Sequence, residues 1–458
     1  MQTDQQGLAV TAENGEAVAH FDAAVADYLG FGHAPVEHVK RALAADPGFP
    51  LALALRGCFY LMLGVPAVLP KALKCLAGAE AAATTPREKG HVAALRAWCD
   101  GDLAGALRAW EGILVDHPTD LLAIRLAHSL YFDLGDSRNL RDSVARVLPA
   151  WDEGRPGYGY VLGMHAFGLE ECDDYANAEA AGRRAVEIDP SDIWSVHAVA
   201  HVMEMQGRQR EGIDWLAGLE DHWTTCNFFQ HHVWWHRALY HLELGEHDAA
   251  LALYDERVRD DFSEIVYDMI DGASLLWRLE LCGVDVGARW GEIADKSEAR
   301  IGDHLDPFSD AHFMMGLAGD GRTDAIDAML ASMRRYADAN DVTVAPVMRA
   351  VGIDACAALA AFRGGEYDLA IALLMPLRYE LQRIGGSHAQ RDLFAQTLIE
   401  AALRCRRFPL ARALTAERTA LKPASPTSWS LYARALDGLG DTAAADDARG
   451  KVAALRAN

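Results

Sequence analysis

Histidine is concentrated in the middle of the chain, where nine of the 18 histidines fall between residues 165 and 247. The segment 192–207 reads DIWSVHAVAHVMEMQG and places His197, His201 and Glu204 four and three residues apart. On a helix with 3.6 residues per turn, these side chains lie on one side. Two imidazoles four residues apart on a helix can bind one metal ion, so His197 and His201 are candidate metal ligands.

A metal site at this helix would need a third ligand from another helix. One ion is not expected to reach both His197 and Glu204, which lie about 10 Å apart along the axis at about 1.5 Å per residue. The segment 228–247, FFQHHVWWHRALYHLELGEH, adds five histidines, and we expect no tight ligand cluster from His231, His232, His236 and His241. These residues therefore predict no cofactor, with a divalent metal as the alternative.

The same histidines are open to two other interpretations. Imidazole titrates near pH 6.5 and both donates and accepts protons, so His201, His232 and His388 are candidate acid–base residues or anion-binding groups. Alternatively, several histidines hydrogen-bond to backbone carbonyls or pack between helices. No motif of known catalytic chemistry decides between these interpretations.

A second polar segment lies near the C-terminus, in RIGGSHAQRD at 383–392. Two glycines precede Ser387, a predicted N-cap, and the helix N-terminus after it offers N–H groups to an anion. His388 and Arg391 fall in the first turn, and Arg391 is suited to a bidentate contact with a carboxylate. A further segment, HLDPFSDAH, contains Asp310, which we expect to cap a helix.

The elements that must position these residues follow a repeat of about 34 residues. Small residues, a turn glycine and a closing proline recur, as in Ala23, Gly30, Ala42 and Pro47. Small residues suit the contact between two antiparallel helices, glycine turns the chain, and proline ends the second helix. This is the tetratricopeptide pattern, and it predicts an all-α superhelix of about ten to eleven helical hairpins.

We expect one continuous domain over 1–458, because no Ser-, Pro- or Gly-rich linker interrupts it. Repeats are predicted over 16–264, an irregular helical segment over 265–350 and further repeats over 351–458. Setting Gly207 and Gly245 at turns directs the central histidines to the concave face. Because such superhelices close a turn in seven or eight units, we predict a near-closed ring with an internal polar pocket.

Four longer phrases resemble the tetratricopeptide repeat protein 38 family: HAVAHVMEMQGR, NFFQHHVWWHRALYHLELG, ASLLWRLEL and GGSHAQRDLFAQTLIEAAL. The resemblance covers nearly the whole chain. It implies a cytosolic helical-repeat protein. It carries no catalytic residues over to this chain.

Composition limits the partners. The net charge of −23 argues against nucleic acid and anionic membranes. The longest apolar run, 51–69, is interrupted by Arg56 and Pro66, which predicts no membrane span. Eight scattered cysteines without a CxxC motif suit reduced thiols and a cytoplasmic location.

The sequence thus predicts a binding protein whose His- and Trp-rich concave pocket holds a peptide or a small polar or anionic ligand. The alternative is an enzyme of hydrolase or lyase type that uses the same histidines. The predicted ligand-binding residues are His197, His201, Glu204, His232, Trp235, His236, His388 and Arg391.

Overall fold

The computed structural model describes residues 1–457, which are predominantly α-helical. Contacts group the chain into two compact units. Unit 1 comprises Met1–Val199, Asp221–Gln230 and Asn340–Pro346, and unit 2 comprises Ala200–Glu220, His231–Ala339 and Val347–Asn458. The predicted single domain and the predicted ring stay predictions.

The first 206 residues contain eleven α-helices. They are α1 Gly15–Leu29, α2 Pro35–Ala45, α3 Pro50–Met62, α4 Leu69–Ala82, α5 Pro86–Cys99, α6 Leu103–Asp116, α7 Leu121–Asp133, α8 Ser137–Val147, α9 Tyr158–Glu170, α10 Tyr175–Ile188 and α11 Ile193–Gln206. Successive helices pack in pairs, as α1 does on α2 and α9 on α10.

The helices that follow are α12 Gln209–Gly218, α13 Glu220–Trp223, α14 Phe229–Leu244, α15 His247–Leu253, α16 Val266–Leu281, α17 Trp290–Ala299, α18 Pro307–Gly319, α19 Thr323–Ala339, α20 Val344–Val347, α21 Ile353–Arg363, α22 Tyr367–Leu377, α23 His388–Arg404, α24 Phe408–Leu421, α25 Pro426–Leu439 and α26 Thr442–Ala457. Short 3₁₀ turns occupy Pro66–Val68, Leu148–Ala150, Gly287–Arg289 and Leu381–Ile384, and π-helical turns occupy Tyr254–Val258 and Met348–Gly352. The predicted all-α helical-repeat fold is confirmed.

Two short strands were not predicted. Strand β1 (Gln2–Thr3) pairs antiparallel with β2 (Ala9–Val10). Between them, the Asp4 side chain accepts hydrogen bonds from the backbone N–H groups of Gln6 and Leu8. A local turn therefore closes the hairpin.

Turn glycines lie where the repeat predicts them. Gly207 and Gly245 follow α11 and α14 with φ values of +73° and +78°, a conformation that side-chain-bearing residues rarely adopt. A β-carbon on Gly207 would lie 2.5 Å from the Ala424 side chain, so this turn also needs the space. These turns fix the ends of the two helices that carry the central histidines.

The segment predicted to be irregular, 265–350, still contains paired helices. Helix α17 packs on α18, and α16 packs on both α18 and α23. The continuous helical stretch Val344–Arg363 has the length and apolar composition of a membrane span, and 56% of its apolar window is buried in the protein. Buried core helices of soluble proteins can have the same length and apolar composition.

Candidate functional site

Three histidines of unit 2 lie side by side. His201 comes from α11, and His232 and His236 come from α14. The His236 ring centroid lies 4.4 Å from that of His201 and 4.8 Å from that of His232. One ring nitrogen of each residue lies within 4.8 Å of those of the other two. We call these three residues the histidine centre.

The expectation that the histidines of 228–247 form no tight cluster is wrong for two of them. His232 and His236 are four residues apart on α14, so they share one helix face, and that face meets His201. His231 and His241 make other contacts, with a backbone carbonyl and a carboxylate. The error arose because the third residue of the cluster comes from another helix.

Two carboxylates orient the histidine centre. The Nδ1 atom of His232 lies 3.0 Å from both carboxylate oxygens of Asp271. The Nδ1 atom of His236 lies 3.0 Å from Oε2 of Glu204. A carboxylate only accepts, so each Nδ1–H donates and each Nε2 carries a lone pair. Carboxylate partners of this kind orient histidine ligands in metal sites.

Glu204 pairs with a histidine of the neighbouring helix, and its predicted role in ligand binding stays a prediction. The sequence grouped it with His201 as a ligand-binding residue on the same helix face, whereas the structure pairs it with His236. Burial raises the pKa of Glu204, and the positive charges of Lys422 and Arg278 oppose that increase. Glu204 thus positions a histidine of the centre.

Burial also sets the protonation state of the centre. It lowers the pKa of His201 and of His236 well below 6.5, and positive charge on neighbouring groups lowers both further. Both imidazoles are therefore neutral at pH 7. Neutral imidazole is the form that binds metal ions.

Trp235 and Arg278 close one side of the centre. The Trp235 ring, fully buried, stacks on His232 with centroids 5.2 Å apart, and the Arg278 guanidinium lies 5.4 Å from the Trp235 ring centroid. Arg278 also donates to the carbonyl oxygens of Ala389 and Gln390, 2.6 and 3.3 Å away. Burial lowers the Arg278 pKa to about 10, so the side chain remains charged at pH 7.

Ser387 forms the predicted cap at the start of α23, and Arg391 contacts the glycine turn before it. Ser387 caps α23 in a capping box with Gln390. Arg391 donates to the carbonyl oxygens of Gly385 and Gly386, so it braces the glycine turn, and its predicted contact with the carboxylate of a ligand stays a prediction. His388 is half-buried and close enough to His201 for its charge to lower the pKa of His201.

His197 belongs to unit 1 and lies among aromatic rings. Its ring centroid lies 5.1 Å from those of Trp194 and Phe229, and 5.4 Å from that of Phe167. It is 2% exposed. This predicted metal ligand of α11 thus packs within an aromatic cluster of unit 1.

The segment around Asp310 also needs a correction. Asp306, not Asp310, caps α18, because Pro307 begins the helix and the Asp306 side chain accepts from the Ser309 N–H. Asp310 instead lies 3.1 Å from Nδ1 of His304, whose Nε2 lies 2.8 Å from the Ser332 hydroxyl. This buried network holds the turn before α18.

Sequence reasoning missed Asp271 and Arg278. Both lie on α16, where Asp271, Ser274 and Arg278 share one face at spacings of three and four residues. Polar residues at helical spacing within the otherwise apolar YDMIDGASLLWRLEL would have indicated a buried polar contact. That spacing was the available signal.

The start of α11 gives a pH-dependent prediction. Asp192 is buried and accepts hydrogen bonds from the Ser195 N–H and hydroxyl groups. Burial raises its pKa from 3.8 to about 6. A raised carboxyl pKa favours the folded state at low pH, and this contribution is complete below about pH 4 and is lost as the pH rises through 6.

Asp192→Asn keeps the cap but cannot ionise. Relative to the wild type, we expect the variant to gain about 2–3 kcal/mol of stability between pH 4 and pH 7.5, from a pKa difference of about two units. Thermal melting of both proteins across this range measures the gain. A melting-temperature difference that does not change with pH would contradict the prediction.

The fold and the site together define a tetratricopeptide-like helical-repeat protein with a buried histidine centre. No known protein-family profile matches the chain. Among solved structures, it is similar to the human IFIT1 dimer with PPP-AAAA, at 14% identity and a TM-score of 0.41, over 98% of this chain and 96% of that one. The IFIT1 dimer with m7Gppp-AAAA gives a TM-score of 0.37 at the same identity and coverage. The structure of Naa15/Naa10 bound to HypK-THB gives 14% identity and a TM-score of 0.24, over 96% of this chain and 63% of that one.

Proposed function

We propose that the protein binds a divalent transition metal ion, zinc above all, at His201, His232 and His236, and that the ion holds a small anionic ligand. The observation that carries this proposal is the close approach of three ring nitrogens from two helices. Three protein nitrogens with an open fourth position are the ligand set of many zinc sites that bind water or a substrate.

The donor set fits zinc. Zn–N bonds of about 2.0–2.1 Å place tetrahedral ligands about 3.3 Å apart. The nitrogens of the centre lie within 4.8 Å of one another, so ring movements of about 1 Å would complete the site. Asp271 and Glu204 already fix the tautomers of His232 and His236 with Nε2 as the ligand atom.

The open coordination position determines the ligand class. A carboxylate or phosphate oxygen would bind there, and the Arg278 charge, within 5.4 Å of the Trp235 ring, favours an anion. The binding function proposed from the sequence is thereby retained, with the metal as the group that recognises the ligand.

The second candidate is a metal-dependent hydrolase. The three-histidine set favours it, because these histidines would hold a zinc ion with one coordination position open, and such an ion would supply water activated at neutral pH for the hydrolysis of esters or amides. Zinc-dependent hydrolysis of p-nitrophenyl acetate that is lost in His201→Ala would support this candidate. Retained zinc without such turnover would favour the binding function.

Metal analysis tests the proposal directly. We expect protein purified without a histidine tag and without chelators to contain about one zinc per chain by plasma mass spectrometry. His201→Ala removes a ligand, and we expect it to lose the metal, whereas His222→Ala removes an exposed histidine and should retain it. Equal metal content in the wild type and His201→Ala, or none in either, would contradict the proposal.

We also infer membership of the tetratricopeptide repeat protein 38 family. The phrases HAVAHVMEMQGR and NFFQHHVWWHRALYHLELG support it, since they form α11 and α14, the two helices of the histidine centre. Conservation of His201, His232 and His236 in members of that family would support both inferences. Their replacement in most members would contradict the shared site.

A further inference from the structure

Arg125 of unit 1 is a buried charge among aromatic rings. It lies on α7 and is 5% exposed. Its guanidinium carbon lies 5.1 Å from the ring centroid of Tyr28, 4.8 Å from that of Phe31 and 5.1 Å from that of Trp194. Three rings thus surround one cation.

The rings contact the guanidinium but leave its N–H groups without acceptors. Cation–π attraction acts through the ring face, whereas the N–H groups of a guanidinium donate in its own plane. Among residues 1–457, no carboxylate pairs with Arg125 and its buried Nε has no acceptor. The nearby Trp194 Nε1 is also buried without an acceptor in the same range.

The charge of Arg125 also lowers the pKa of a neighbouring histidine. His128, one turn along α7, is fully buried, and burial together with the Arg125 charge lowers its pKa well below 6.5. A buried cation normally has an anionic partner, because desolvation of a charge costs several kcal/mol and cation–π contacts contribute about 2 kcal/mol each when desolvated. The contacts offset the charge but do not satisfy its donors.

The backbone is strained at one residue of this aromatic arrangement. Phe31 has a left-handed φ of +52°, which is uncommon for a bulky residue. The Asn227 N–H holds the Phe31 carbonyl at 2.8 Å, and the Phe229 ring stacks on Phe31 with centroids 4.3 Å apart. Strain of this kind is common where a side chain must be positioned for binding.

We propose that Arg125 and Trp194 form a binding site for the carboxylate of an apolar ligand. The guanidinium and the indole N–H donate to the carboxylate oxygens, and Phe167, Phe229 and Phe31 pack against the apolar body. A monoanion fits, because one guanidinium neutralises one charge and a dianionic phosphate would retain a second in an aromatic environment.

The test uses 4-fluorobenzoate as the probe and its ¹⁹F NMR line width as the readout. We expect millimolar or tighter binding to the wild type and no binding of neutral 4-fluorobenzyl alcohol. Arg125→Gln should weaken binding about ten-fold or more through loss of charge-assisted hydrogen bonds. Arg138→Gln, which changes an exposed arginine of the same unit, should bind as the wild type does.

Two further variants keep the proposal testable if Arg125→Gln does not fold. Arg125→Lys retains the charge but loses the planar donors, and we expect weaker binding in a folded protein. Arg125→Met removes the buried charge, and we expect an unchanged or higher melting temperature without ligand, as for residues kept for binding. Absence of binding to the wild type, or equal binding to Arg125→Gln, would overturn the proposal, as would a loss of several degrees in Arg125→Met, which would indicate a structural role.

Discussion

Asp271→Asn is expected to weaken zinc binding about 10- to 100-fold while the protein stays folded. Asp271 lies 3.0 Å from Nδ1 of His232 and holds Nε2 of that ring toward the proposed metal. Asparagine preserves the shape but not the charge, and its amide can present N–H to the ring and select the wrong tautomer. Competition with a chromophoric zinc chelator measures the change.

A surface pair provides the matched control. His231 and Asp260 lie 3.9 Å apart, and with Asp261 they form another group of ligand atoms close enough to hold an ion. Asp260→Asn should leave the zinc affinity unchanged. If Asp260→Asn weakens zinc binding and Asp271→Asn does not, the metal lies on the surface and the histidine centre is not its site.

Asp120→Ala should destabilise the protein by about 3–5 kcal/mol, because it removes one partner of a buried ion pair. Asp120 is fully buried and accepts from Arg87 Nε at 2.6 Å and from His91 Nε2 at 2.9 Å. It also caps α7 by accepting from the Ala123 N–H. Thermal and urea unfolding measure the loss.

Two further variants separate the contribution of the ion pair to stability from that of the helix cap. Asp102→Ala removes an exposed cap from α6 and should cost only about 1 kcal/mol. Asp120→Asn keeps a cap acceptor and removes the charge, so it should fall between the two. A loss of about 1 kcal/mol in Asp120→Ala would show that the ion pair contributes little to stability.

The sequence predicted the local features of the fold well. Turn glycines such as Gly207 and Gly245, and the cap at Ser387, depend on a few neighbouring residues, so their signals lie together in the chain. The helical character of 265–350 was also predicted, although the repeat pattern is irregular there. Apolar residues at helical spacing indicate that one face of a helix is buried, and the helices of this segment keep such buried faces.

The site was only partly predictable. His201 and His232 were predicted because helical spacing placed them on inward faces. The two carboxylates of the site lie far in the sequence from the histidines that they contact: Asp271 lies 39 residues beyond His232, and Glu204 lies 32 before His236. Spacing along one helix carries no information on which side chain of another helix it meets.

Some predictions from the sequence stay predictions. The expected absence of a nucleic-acid partner, from the net charge of −23, and the predicted cytoplasmic location, from cysteine usage and family resemblance, are both untested. The buried polar groups of the structure instead support the two sites proposed here, the histidine centre and Arg125.

Anomalous X-ray diffraction at the zinc edge, from crystals of untagged protein, tests the central claim most directly. The proposed function predicts one anomalous peak per chain, about 2.0–2.1 Å from a ring nitrogen of each of His201, His232 and His236. No peak there, or a peak only beside His231, Asp260 and Asp261, would contradict it.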